Sequence, residues 1–153
     1  MATDTSWVGQ AMVQTVPWVR SMGLEFGEVT PERAVVCLPD DAEVHNHVGG
    51  PHAAMIFGLG ETASGAITMA AFGSVLERAT PLVVSSEVRY LRLARGPLTA
   101  TAVLGRSAAD VLAELDAGTR PEFTVSVVVT DADDRETTHL SVVWTLRPNR
   151  NHA

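Results

Sequence analysis

The chain has 153 residues, of which 46% are hydrophobic and 19% charged, with a formal net charge of -7 and a single cysteine. That length and apolar content suit one folded unit with a core and exclude global disorder. One cysteine excludes an intramolecular disulfide scaffold and a cysteine-only metal centre within one chain, and an acidic balance without a Lys/Arg-rich stretch argues against a nucleic-acid binder.

The charged fraction lies below the roughly 25% usual for globular proteins. Part of the non-core surface is therefore expected to be covered as well, most simply by a second copy of the chain. The opening MATDTSWVGQ lacks the basic region and apolar run of a signal peptide, so the expected location is cytoplasmic. Residues 1–153 are read as one domain.

In chain order, residues 7–20 predict a short amphipathic helical element packing Trp7, Met12, Val16 and Val19, which Pro17 should interrupt. Residues 22–30 and 33–38 read as two strands around the turn-like TPER, with Cys37 counted as core. The polar DDAEVHNHVGGPH then reads as a loop leading into a helix over 53–72. Small and apolar residues surround most of that helix, which predicts one buried by other structure rather than a membrane span. Residues 82–93 and 98–105 predict a strand pair about ARGP, while 108–118 fit either a helical turn or a strand extension. Two further strands follow. Phe123, Val125, Val127 and Val129 alternate with polar or smaller residues, as do Leu140, Val142, Trp144 and Leu146. Two strands, one long helix and four strands predict an antiparallel α+β fold.

Chemistry concentrates in HNHVGGPHAAMIFGLGE, residues 45–61. Glu61 is the only charged residue in the 24 positions between His52 and Glu77. A lone carboxylate on a buried helix is costly unless paired or protonated, and burial would fit it for acid, base or nucleophile work. The plain alternative is a structural acid or one reaching solvent. His52 stands at the helix start, where free N–H groups around Gly50 to Ala54 can hold a polarised carbonyl oxygen. Gly49 and Gly50 permit close approach of a ligand; a cap and a turn are the plain alternatives.

Nine residues of helix between His52 and Glu61 amount to about 13.5 Å of rise and half a turn of net rotation. The two side chains leave opposite faces, so a site using both needs a second copy, as a two-fold dimer supplies. Asn46, between His45 and His47, has an amide able to orient a water or a carbonyl. Three histidines with Glu43 invite a metal, but their spacing matches no zinc signature; no metal is expected.

The segment from Asn46 to Ala54, continued by Phe57 and Gly60–Glu61–Thr62–Ala63, resembles the hotdog-fold acyl-CoA thioesterases, in particular the phenylacetic-acid-pathway type. The texts SSEVRYLRLARGPLTATAVL and DDRETTHLSVVWTLR are similar to strands of the same families, and the likeness runs from about residue 22 to 147. It implies a sheet wrapped around the central helix, homodimers or pairs of dimers, and sites at the dimer interface. It further implies Glu61 as catalytic nucleophile or general base, Gly50 and its neighbours as holders of the carbonyl oxygen, and Asn46 and His52 as orienting groups. His47, Gly49, Ala53, Ala54, Phe57, Tyr90 and one of Ser85 or Ser86 would contact substrate. The chain departs in having Ala53–Ala54 where Gly-Gly is usual, and Glu61 where Asp is commoner.

The expected function is therefore hydrolysis of an acyl- or aryl-CoA thioester, with coenzyme A as part of the substrate, no cofactor, and no nucleic-acid or membrane partner. Met55, Phe57, Leu59, Met69 and Tyr90 are candidate walls for the acyl group, and Arg89, Arg92 and Arg95 candidate phosphate contacts. The alternatives are a non-catalytic acyl-thioester binder, a hydroxyacyl-thioester dehydratase, and a structural dimer without a ligand.

Overall fold

The computed structural model describes residues 3–150; residues 1–2 and 151–153 of the expected unit lie outside the described residues. The N-terminal element is two helices, α1 (Trp7–Thr15) and α2 (Pro17–Ser21). Val16 is extended between them, and Pro17 takes the first position of α2, where its missing N–H costs nothing. Met12 and Val19 are buried as expected. Val8 takes the place expected for Trp7, which is 38% exposed, as is Val16.

Strands β1 (Glu25–Val29) and β2 (Ala34–Leu38) precede the loop and a short 3-10 turn at Ala42–Val44. The central helix α3 runs Ala53–Phe72, the bounds read from the sequence. Then follow β3 (Ala79–Tyr90), β4 (Leu98–Leu104), α4 (Ala108–Asp116), β5 (Glu122–Thr130) and β6 (Glu136–Pro148). The ambiguous 108–118 segment is thus helical. Ser107 accepts from the Asp110 N–H as its cap, and Val111 and Leu115, four apart, are its buried residues.

The six strands form one antiparallel sheet in the order β1-β2-β4-β5-β6-β3, so β1 and β3 are its edges. Helix α3 packs on one face, against β2, β4, β5 and β6. The period-2 residues of the strands meet it: Val36 and Leu38, Ala100 and Ala102, Val125 and Val127, and Val142 and Leu146 are all buried. From the helix side come Leu59, Ala63, Ala66, Ile67 and Phe72, whose ring lies 4.8 Å from that of Phe123. The segment Ala53–Val75 is long and apolar enough to cross a membrane, yet 72% of its most apolar window is buried inside this fold.

Cys37 corrects the sequence reading. In β2 the core face is Ala34, Val36 and Leu38, and the period of two sends Cys37 to the other face. There it is half-buried, with its Sγ 3.6 Å from Thr99 Oγ1.

Candidate active site

The loop before α3 is knitted by its own polar groups. Asn46 Oδ1 accepts from the N–H groups of Val48 (3.0 Å) and Gly50 (3.3 Å), and its Nδ2 donates to the Pro51 carbonyl (3.4 Å). The backbone pairs at Asn46 N–H to Gly50 O (2.7 Å) and at His52 N–H to Val44 O (2.8 Å) close it. Both glycines are needed. Gly49 has φ of +77°, which favours glycine, and a Cβ at Gly50 would collide with the carbonyl oxygen of Ala94. Asn46 is thus an organiser of the loop, half-buried, while His47 and Val48 are exposed.

His52 caps α3. Its Nδ1 accepts from the Ala54 N–H at 3.0 Å, which assigns the ring proton of the neutral imidazole to Nε2. The Met55 and Ile56 N–H groups return to the His52 carbonyl. The Ala53 N–H is then the backbone donor of the first turn with no partner among the described residues. Tyr90, at the end of β3, reaches the same place and donates to the Ala53 carbonyl at 3.1 Å. His52, Ala53, Ala54 and Tyr90 are exposed, so the loop, the helix start and the end of β3 form one open surface.

Glu61 lies in different surroundings. It is half-buried on the wall of a cavity of about 270 Å³ between α3 and the N-terminal helices. Met12, Val16, Trp18 and Val19 come from α1–α2 and the residue joining them. Thr62, Gly65 and Met69 come from α3, and Pro81 and Trp144 from the sheet. Glu61 is the one charged residue of that lining. Burial pushes its carboxyl pKa up from the ordinary range, with no other cause acting on it. Its helical turn is anchored through Ser64, whose hydroxyl donates to the Glu61 carbonyl (2.6 Å) and accepts from Trp144 Nε1 (3.0 Å). Thr62 Oγ1, on the same wall, is buried without a hydrogen-bond partner among the described residues.

Within one chain, then, the structure brings Asn46, Gly49, Gly50, His52, Ala53 and Tyr90 together and leaves Glu61 apart, about 13.5 Å of helix rise from His52. Ser85 and Ser86 are exposed on β3, opposite Val143 and Val142, and neither lines the Glu61 cavity. Of the proposed acyl walls, Met69 lines that cavity, Leu59 is fully buried core, and Met55 and Phe57 are half-buried. Arg89, Arg92 and Arg95 are exposed. Among the described residues no group of three or more His, Cys, Asp or Glu side chains is placed to hold a metal ion. The α1–α2 contribution was not read from the sequence. Its one available signal was Trp18 together with the glycines Gly58 and Gly65, seven apart on α3.

The sequence matches, over residues 5–146, the family described as a domain of unknown function (DUF4442). No curated protein matches the sequence. Among solved structures, a Pseudomonas aeruginosa protein of unknown function described as a probable thioesterase superposes with a TM-score of 0.83 at 22% identity, covering 97% of this chain and 99% of that one. A thioesterase family protein from Silicibacter pomeroyi gives 0.75 at 17% identity, covering 95% and 100%. A thioesterase variant from P. aeruginosa gives 0.77 at 13% identity, covering 97% of each. At these identities the likeness establishes the fold, which is the hotdog fold.

Proposed function

The chain belongs to the DUF4442 family, and from that premise we propose that it hydrolyses acyl thioesters of coenzyme A, with Glu61 as general base. One observation carries this reading: a single carboxylate, its pKa raised by burial, on the wall of an otherwise uncharged cavity in a hotdog fold. The names of the similar structures lend support at the level of reaction class.

In the proposed step, ionised Glu61 takes a proton from water as the water oxygen bonds to the thioester carbonyl carbon. Charge develops on the carbonyl oxygen, where backbone N–H donors count most. At the start of α3 the Ala53 N–H is free to serve. That of Gly50 would be shared with Asn46 Oδ1. The C–S bond then breaks and the electron pair leaves on sulfur. A thiol pKa of about 8.5 makes the thiolate a good leaving group, and it collects the proton from Glu61.

In this reading the helix start serving a given Glu61 is supplied by a second copy, which the distance along α3 supports. The edge strand β3 supports such a dimer. It is twelve residues long and paired on one side only, by β6. Val83, Val84, Tyr90, Leu91 and Leu93, on this strand and just beyond it, are 40 to 53% exposed. A long unpaired edge of this kind, apolar toward both ends, is a template for strand pairing with another chain. Arg89, Arg92 and Arg95 would then meet the coenzyme A phosphates at its rim.

The test is thiol release from a panel of acyl-CoAs by wild type and Glu61→Gln. Loss of a general base lowers kcat by about 10²–10⁴. Turnover unaffected by the substitution overturns the assignment, and binding without turnover in wild type favours a non-catalytic binder. Sedimentation checks the shared site, and an active monomer refutes it.

A further inference from the structure

The cavity that holds Glu61 has walls of two kinds. The α3 wall is cut low by glycine at Gly65, with Thr62 one turn before it and Met69 one turn on; Gly58, a turn further back, lies against Trp18. The facing wall, from α1–α2, is bulky. A Cβ at Gly58 would collide with the outer edge of the Trp18 indole, so glycine there is what lets the ring lie against the helix backbone. At Gly65 the situation differs. A Cβ would sit 3.4 Å from Met12 Cε and 3.6 Å from Trp144 Cζ2, ordinary contact distances, and all three residues line the cavity. A methyl group can be added at this position without moving anything, and it takes up space that a ligand would otherwise use.

Resting on the thioesterase reading, we propose that this cavity is the acyl pocket, that Gly65 and Trp18 set the size of acyl group it accepts, and that it takes compact, uncharged acyl groups. Volume argues for compactness. An apolar cavity of about 150 Å³ holds benzene, so 270 Å³ takes one ring with a short linker, or an aliphatic chain of similar bulk. A long-chain fatty acyl group does not fit. Charge argues for neutrality. Glu61 is the one ionisable group on the wall, so a terminal carboxylate on the acyl group would be desolvated with no cation to pair it and repelled by Glu61. The contrast between the walls gives both directions of control. Alanine at Gly65 shortens the pocket, and alanine at Trp18 opens it along the surface, since that indole is 42% exposed.

The experiment measures kcat/KM for thiol release from saturated acyl-CoAs of increasing length, a single-ring aryl-CoA and a dicarboxylic mono-CoA thioester. Wild type, Gly65→Ala and Trp18→Ala are compared, with thermal melts to show that each is folded. Wild type is expected to lose activity on long chains and on the dicarboxylic thioester. One methyl group in a hydrophobic pocket is worth about 10–200-fold. The ratio of kcat/KM for the largest good substrate to the smallest should therefore fall about tenfold or more in Gly65→Ala and rise in Trp18→Ala. Folded variants that keep the wild-type length profile overturn the proposal while leaving the thioesterase reading intact. If wild type turns over none of the thioesters, that reading fails. The pocket is then judged by calorimetric binding of non-hydrolysable S-alkyl-CoA thioethers to the same three proteins. Length-dependent affinity shifted by Gly65→Ala upholds it, and affinity indifferent to alkyl length, or no binding, refutes it.

Discussion

At the start of α3 nearly every polar group has a partner, whereas eight residues into the helix a carboxylate shares a cavity with Met12, Val16 and Trp144 and has no hydrogen-bond partner among the described residues. The first region is made by near neighbours in sequence. Asn46, Gly49, Gly50 and His52 fold onto one another, with Tyr90 and the Ala94 carbonyl reaching in from afar. The second is made by distant ones, with α1, α2, α3 and β6 all contributing. Satisfied groups give fixed geometry; an unsatisfied acid gives reactivity. The proposed hydrolysis draws on both, and within one chain the length of the helix keeps them apart.

That contrast can be broken most severely at Glu61. Alongside the rate loss, Glu61→Gln should alter stability in a defined direction. Burial raises the folded-state pKa above the unfolded one, so the folded protein holds the proton more tightly. The stability this provides is complete below the unfolded pKa and is lost as pH rises through the folded value. Above the unfolded pKa the buried acid therefore costs stability, and Gln removes the cost. The variant should melt above wild type at neutral pH, with the difference closing in acid. The same raised pKa displaces the acid limb of kcat/KM to higher pH than an ordinary carboxylate gives. A limb in the ordinary range in wild type would identify a different base.

Next comes Gly50→Ala, which sets a methyl group against the Ala94 carbonyl oxygen. Overpacking of this kind costs about 1–3 kcal/mol. Denaturant melts should show it, together with reduced turnover as the helix start shifts. Thr62→Val tests the other region. It replaces a buried hydroxyl without a partner by a methyl group of similar shape, and relief of that desolvation should stabilise the protein by about 1 kcal/mol. Destabilisation would mean that the hydroxyl has a hydrogen bond after all. His52→Ala has the smallest effect on folding, about 0.5 kcal/mol, because the cap it provides is exposed. Any larger loss would have to appear in turnover.

The central helix was legible because its pattern is strong and local. From Ala53 to Phe72 there is no proline, one charge, and glycines that tertiary packing tolerates. Glu61 stood out by the same pattern. The inward residues of β5 and β6 followed from period-2 alternation, and α4 resolved once its cap at Ser107 was seen. Cys37 and Trp7 show where such reading stops. An apolar run names the strand or helix but not which face the core takes, so Cys37 proved to face away from α3 and Trp7 to be partly exposed.

Composition and spacing by themselves determined a chain with few charges, a buried helix carrying a single acid, and a glycine-bounded loop leading into it. They also determined the rise from the helix start to Glu61, because helix geometry fixes it from residue number alone, whereas the direction His52 takes is set by its extended backbone as the cap of α3. Only the tertiary structure decided what shares a cavity with Glu61. Trp18 and Met12 are more than forty residues away in sequence, and no local periodicity encodes which helix closes over which face. It also decided that the β3 edge is left unpaired in the single chain, since strand order depends on long-range pairing rather than on any one strand's own pattern.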